Sequence, residues 1–150
     1  MPEDFTNQGI EMNYEITDHI TAQEYMELRE LVGWSLFPLE EAEDGLKHTT
    51  KLFCFRKGGK PAALLRVLWD HGYIFYIADV IVRPEYQGQG LGRALMEHAM
   101  EYIKSKLKPN WRVKVNLMSA QGKEEFYKKF GFVTRPNESE GYGMNQWIEG

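Results

Sequence analysis

The sequence predicts an α/β fold, a mixed and largely antiparallel sheet flanked by about four helices. Three observations carry that expectation. Residues 51–82 hold three β-rich runs separated by turn sequences. A glycine-rich loop joins the last run to a long amphipathic stretch. Helix and strand patterns then continue, so that the whole order reads β-α-α-β-β-β-α-β-α-β-β.

The elements follow from local signals. The first ten residues are expected to be loose, and a short strand to lie around Met12 to Ile16. Thr21-Ala22-Gln23-Glu24 has the form of a capping box, Tyr25, Leu28 and Val32 recur at helical spacing, and Gly33 ends the helix. A second short helix after Pro38 places Leu39, Ala42 and Leu46 on one face. Lys51 to Arg56 and Ala62 to Trp69 read as a hairpin around Lys57-Gly58-Gly59-Lys60. Asp70-His71-Gly72 turns into a third strand, Tyr73 to Val82, whose apolar end, Ile77 to Val82, suggests burial on both faces. Leu91, Ala94, Leu95, Ala99, Tyr102 and Ile103 stripe a long helix that Pro109 stops. Trp111 to Leu117 is an expected strand and Lys123 to Phe130 a short helix before Gly131. Two further strands are expected, Phe132 to Arg135 and Met144 to Ile148.

With 150 residues, 43% apolar and 27% charged, the chain fits one domain, 1–150, able to bury its own core. A net charge of −4 argues against general nucleic-acid binding. No apolar run reaches the length of a membrane span, and the polar, acidic start Met1 to Asn7 is unlike a targeting signal. Cys54 is a lone cysteine between Phe53 and Phe55, expected as a small core residue in a cytoplasmic protein. His19, His48, His71 and His98 lack metal-ligand spacing, so no metal is expected. Glu40, Glu41, Glu43 and Asp44 form an acidic cluster, either a solvated helix face or an entrance for a cationic substrate.

Gly88, Gly90 and Gly92 stand between a strand and a long helix. Glycine allows close backbone approach, and the free N–H groups of a helix start suit a phosphate or pyrophosphate. Two familiar phosphate loops fail on spacing. The segment ends Gly92-Arg93-Ala94 where a P-loop needs Gly-Lys-Ser/Thr. A Rossmann fingerprint needs G-x-G-x-x-G directly after a strand and an acid about twenty residues on. Here the pattern is G-x-G-x-G, five residues follow Val82 before it, and Lys108 stands at the acid's place.

Gln87-Gly88-Gln89-Gly90-Leu91-Gly92, with its lead-in Val82-Arg83-Pro84-Glu85-Tyr86, resembles the pyrophosphate loop of the GNAT superfamily of N-acetyltransferases. Phe126-Tyr127-Lys128-Lys129-Phe130-Gly131-Phe132 resembles a second signature of that family, separated from the first by a helix and a strand as in its members. One position departs from the pattern: many members carry an Asn seven residues before the tyrosine, where this chain has Ala120.

The resemblance implies a GNAT-type fold and an enzyme in which an amine attacks the thioester of acetyl-CoA directly. It places the cofactor on the backbone of Val80, Ile81 and Val82 and on the loop Gln87, Gly88, Gln89, Gly90, Leu91, Gly92 and Arg93. It gives Tyr127 the part of general acid toward the departing sulfur, beside the plainer reading of a packing residue. Asp79 is an unusual carboxylate in an apolar run. It is a base, direct or through water, or a ligand for the substrate ammonium, or a structural group tied to a helix N-terminus or a nearby cation. Trp34 and Phe37 line the acceptor site in such enzymes, or else pack in the core. The expected acceptor is a small-molecule primary amine. A protein or peptide amine, and a non-catalytic acyl-CoA-binding module, stand as alternatives. A homodimer is compatible with this reading.

Overall fold

In the computed structural model, which describes residues 7–150, the three strands expected between residues 51 and 82 all form. The elements are α1 (Asn7–Asn13), β1 (Glu15–Thr17), α2 (Ala22–Leu31), α3 (Leu39–Lys47), β2 (Lys51–Lys57), β3 (Lys60–Trp69), β4 (Ile74–Val82), a 3-10 turn (Pro84–Tyr86), α4 (Leu91–Lys106), β5 (Lys114–Leu117) and α5 (Glu124–Lys128). The strands make one five-stranded sheet in sequence order, antiparallel throughout except for the parallel β4–β5 pair. The chain divides into two compact units, Met1–Leu117 and Met118–Gly150, described separately.

In the first unit the local signals work as chemistry requires. Thr21 accepts from the Glu24 amide while the Glu24 carboxylate accepts from the Thr21 amide, so two otherwise orphaned donors are satisfied at the start of α2. At its other end Gly33, at φ 77°, donates to the Glu30 carbonyl and Trp34 to that of Arg29, which is a Schellman closure. Leu52, Cys54, Leu64 and Ile81 meet Tyr25, Met26, Leu28 and Ala42 from α2 and α3. Phe53 and Phe55, on the opposite face of β2, pack against His98 of α4. Helices thus cover both faces of the antiparallel strands.

Several expectations need correction. Residues 1–6 lie outside the described residues, but 7–13 are helical, anchored by buried Ile10 and followed by buried Tyr14. The first strand is accordingly only Glu15–Thr17, since its pairing with β2 spans just three residues. Leu39 is exposed, unlike Ala42. The end of β4 is not buried on both faces: Phe75, Ile77 and Ile81 are buried, while Tyr76, Ala78, Val80 and Val82 are half-buried.

In the second unit the strands expected at 132–135 and 144–148 are absent among the described residues. Val133, Met144, Trp147 and Ile148 are apolar residues that a strand could bury, yet each is at least 72% exposed, so no packed face selects the extended ladder. Polar contacts shape this segment instead. Asn137 accepts from the Ser139 and Glu140 amides, and Arg135 donates to the Gly141 carbonyl.

Candidate active site

The glycine loop forms a cradle at the start of α4. Gly88 (φ 81°) and Gly90 (φ 84°) occupy the left-handed region that side chains resist. Gly90 is the residue before α4, where a side-chain cap normally sits. It supplies none, and no acidic residue stands in the first helical turn. A 16-residue helix therefore presents its first N–H groups and the positive end of its dipole uncapped, the condition an anion needs. Side chains hold the loop from both sides. Gln87 Nε2 donates to the Val82 carbonyl at 3.0 Å, and the Tyr14 hydroxyl donates to Gln89 Oε1 at 2.8 Å. Arg93 lies in the first turn, 3.8 Å from Glu97.

The strand leading into the loop has an open edge. The Arg83 amide donates to the Ala62 carbonyl of the neighbouring chain segment, and Ile81 lies opposite Leu64 in the same ladder. By alternation, the amides of Val80 and Val82 point to the other edge. On that edge β5 pairs with β4 only as far as Ile77. Of the three residues expected to bind through their backbone, Val80 and Val82 thus face the open side, whereas Ile81 is engaged with β3.

The strand is not regular at Asp79. Arg66 pairs with Ala78 but Leu64 pairs with Ile81, so two residues of β4 oppose one of β3. Asp79 adopts φ 55° in this bulge, and alternation cannot be carried through it. Its carboxylate is fully engaged. Oδ1 accepts from Arg29 Nη1 at 2.9 Å, and Oδ2 accepts from Arg66 Nη1 at 2.7 Å and from the Tyr25 hydroxyl. All three charged side chains are close to nine-tenths buried. Burial, and then the Asp79 charge, push the Tyr25 phenol up to about 12, so it stays a proton donor. Of the alternatives left open by the sequence, this geometry fits the structural tie to a cation.

Trp34 and Phe37 are half-buried against the α2–α3 core, and their rings also face the Arg29 guanidinium at 5.4 and 4.4 Å. Their packing therefore reaches Asp79 through Arg29. Beside them, Leu36 and Leu39 are exposed, and Glu40, Glu41, Glu43 and Asp44 all project into solvent along α3. Cys54 is fully buried, and burial raises its thiol, as befits a core residue.

Tyr127 belongs to the second unit. It lies on α5 in a ring cluster with Phe126 (5.0 Å) and Phe132 (6.3 Å), is 8% exposed, and its phenol is raised by burial. It consequently keeps its proton at neutral pH. Ala120 ends in a turn whose carbonyl accepts from the Lys123 amide.

Sequence reasoning missed Tyr25, Arg29 and Arg66. Tyr25 counted only as part of an apolar stripe, and the two arginines carried no spacing signal. The single clue was Asp79 itself, since a carboxylate in such a run demands partners from elsewhere. Among the described residues no helix is long and apolar enough to cross a membrane.

Comparison with known proteins adds four findings. The model of the acetyltransferase (GNAT) domain matches residues 48–134. The chain is 27% identical over 125 residues to "Uncharacterized N-acetyltransferase ycf52" of Porphyra purpurea, spanning 81% of this chain and 70% of that one. It is 33% identical over 116 residues to "Histone acetyltransferase TAP1" of Glycine max, spanning 70% of this chain but 48% of that protein. Among solved structures, a Staphylococcus aureus protein described as "Probable Acetyltransferase" superposes with a TM-score of 0.80 at 32% identity, covering 90% of this chain and 99% of the other.

Proposed function

The chain belongs to the GNAT family of acetyltransferases, and we propose that as such an acyltransferase it moves the acetyl group of acetyl-CoA to a primary amine of a small molecule. The observation that carries this reading is the uncapped start of α4, reached through Gly88 and Gly90 directly after the open edge of β4. The residues present fit acetyl-CoA. N–H groups of the segment Gln87 to Arg93 suit its pyrophosphate, and the outward amides of Val80 and Val82 suit its pantetheine and thioester carbonyl. Acetyl-CoA supplies an activated acyl group. The amine nitrogen bonds to the carbonyl carbon within a ternary complex, the C–S bond breaks, and the electron pair leaves on sulfur. The Tyr127 hydroxyl, protonated at neutral pH, then donates its proton to that sulfur, and the proton that the nitrogen sheds on becoming an amide passes to solvent, from which the tyrosine is reprotonated.

For the acceptor, exposed Leu36 and Leu39 next to the four carboxylates of α3 favour an amine with an apolar body. The relative named a histone acetyltransferase supports a second reading, a protein amine. One experiment addresses both. Acetyl-CoA binding is measured by calorimetry, and thiol release is followed with an arylalkylamine, a polyamine and a lysine-containing peptide. Binding with release driven by a small amine supports the proposal. Release with the peptide alone moves the acceptor to the second reading, and binding without release from any amine favours a non-catalytic acyl-CoA module.

A further inference from the structure

Asp79 sits in a conformation that an L-residue adopts at a cost, and such a residue persists where its surroundings over-determine it. Here the surroundings are three donors from two elements. Tyr25 and Arg29 reach it from α2, and Arg66 from β3. Each arginine is itself held. Arg29 Nε donates to the Ser35 carbonyl, with the Phe37 ring against its guanidinium. Arg66 donates through Nε to Thr49 Oγ1 and through Nη2 to the Gly45 carbonyl. α3 and the segments flanking it are thereby tied to one residue of β4. That residue lies immediately before Val80, the first amide turned toward the open edge.

We propose that Tyr25, Arg29 and Arg66 close on Asp79 as a clasp that fixes the β4 bulge, and that all four are positioning residues for the backbone that receives the acyl carbonyl. This rests on the acetyltransferase reading above. The argument runs through geometry. Without the clasp the bulge has two alternative registers open to it, since a regular β3–β4 ladder would place Asp79 and Val80 each opposite its own partner and turn the Val80 amide toward β3. The clasp selects the register that leaves that amide free. It also takes Asp79 out of proton transfer. Both carboxylate oxygens are already occupied by the two guanidiniums and the hydroxyl, so neither is presented to an incoming amine, and the remaining titratable neighbour, Tyr76, is half-buried with its phenol raised by burial and by the same carboxylate.

The base and clasp roles differ in what Tyr25→Phe does. Removing that hydroxyl leaves the carboxylate in place, and a base would work as before or better. A clasp would loosen. With full-length protein and the best amine of the panel, Tyr25→Phe is expected to lower kcat on the order of tenfold, a part of the roughly 10²-fold that a full misplacement of the carbonyl donor costs. The loss should be the same at every pH, with affinity for CoA itself little changed, because its pyrophosphate is assigned to the α4 loop and none of the three hydrogen bonds to Asp79 involves that loop. Asp79→Asn should lose more, again without recovery at high pH. A purely stabilising role would lower the melting temperature but leave kcat per folded molecule intact. Wild-type kcat in Tyr25→Phe, or Asp79→Asn activity that climbs back as pH rises, overturns the clasp. Should Asp79→Asn not fold, Arg66→Lys replaces it: a kcat loss at unchanged CoA affinity supports the proposal and normal kcat overturns it. A wild-type protein that neither binds acetyl-CoA nor releases thiol removes the function and the clasp together, whereas normal wild-type turnover with an unaffected Tyr25→Phe removes the clasp alone.

Discussion

The hydroxyl of Tyr14 donates to the side-chain carbonyl of Gln89 at 2.8 Å, across 75 positions of sequence. Tyr14 is buried directly after α1, so the end of the N-terminal helix is tied to the middle of the glycine loop. The Tyr14 ring also meets Tyr86 edge-on at 6.0 Å, and Lys57 Nζ stands 5.4 Å from each ring. A residue expected in a short strand is thus coupled to the glycine loop.

Tyr14→Phe keeps the ring and removes the donor. A neutral hydrogen bond contributes about 0.5–1.5 kcal/mol, so acetyl-CoA affinity should weaken by up to roughly tenfold. Turnover at saturating acetyl-CoA should hold. Calorimetry checks the first point and a kcat–KM comparison the second; an unaltered dissociation constant would show that Gln89 needs no anchor.

Gly90 and Gly92 should respond differently to the same side chain. Gly90 is left-handed, and a β-branched residue there costs about 1–2 kcal/mol of backbone strain. Gly92 is the second residue of α4, where valine can adopt helical dihedrals but is expected to hinder the pyrophosphate's approach to the backbone. Gly92→Val is therefore expected to abolish most CoA binding at a near-normal melting temperature, and Gly90→Val to lower both. Equal, normal binding by the two variants would remove the pyrophosphate from this loop.

How much of this was legible depends on whether a feature is local. Thr21 with Glu24, Gly33, Gly58-Gly59 and the Gly88–Gly90 loop each specify their geometry through adjacent residues, and the sequence exposes them directly. The bulge at Asp79 is different. It is decided by Tyr25, Arg29 and Arg66, which lie 13 to 54 positions away and look ordinary in their own segments. The misread end of the chain has the opposite cause. Residues 132–135 and 144–148 carry residues that suit a strand, such as Phe132, Val133, Thr134, Trp147 and Ile148, but such residues form one only where a face is buried, and Ile148, at 82% exposure, has none.

The Glu24–Arg56 pair gives a pH signature of folding. Arg56 donates to both Glu24 oxygens, at 2.8 and 2.9 Å, and these bonds hold the carboxyl down at about 2 against a partial opposition from burial. The folded-state value lies below the ordinary 4.5, so the contribution to stability is fully present above about pH 4.5 and is lost as pH falls toward 2. Glu24→Gln preserves an acceptor for the Thr21 amide and deletes only the charge. Its melting temperature should lie below wild type at neutral pH, with the gap closing as the pH falls toward 2. A gap of constant size across that window would assign the loss to packing.

Tyr127 supplies the sharpest test of the chemistry. A general acid must carry its proton when the sulfur departs, and burial raises this phenol above its ordinary 10.0. The alkaline limb of kcat, where set by Tyr127, should therefore fall later than that of an ordinary tyrosine, with full activity throughout the neutral range. Tyr127→Phe keeps the ring among Phe126 and Phe132 and removes only the hydroxyl. General acid catalysis contributes about 10²–10⁴-fold, so kcat should drop by a factor in that range while acetyl-CoA affinity stays near wild type. The remaining activity should also lose that alkaline limb, since the group that titrates is gone. A thioester with a better leaving group needs less protonation at sulfur, so an acetyl donor bearing a more acidic thiol should narrow the gap between the two proteins. If Tyr127→Phe instead turns over at the wild-type rate with chemistry limiting, the residue is a packing tyrosine and the proton reaches sulfur from elsewhere.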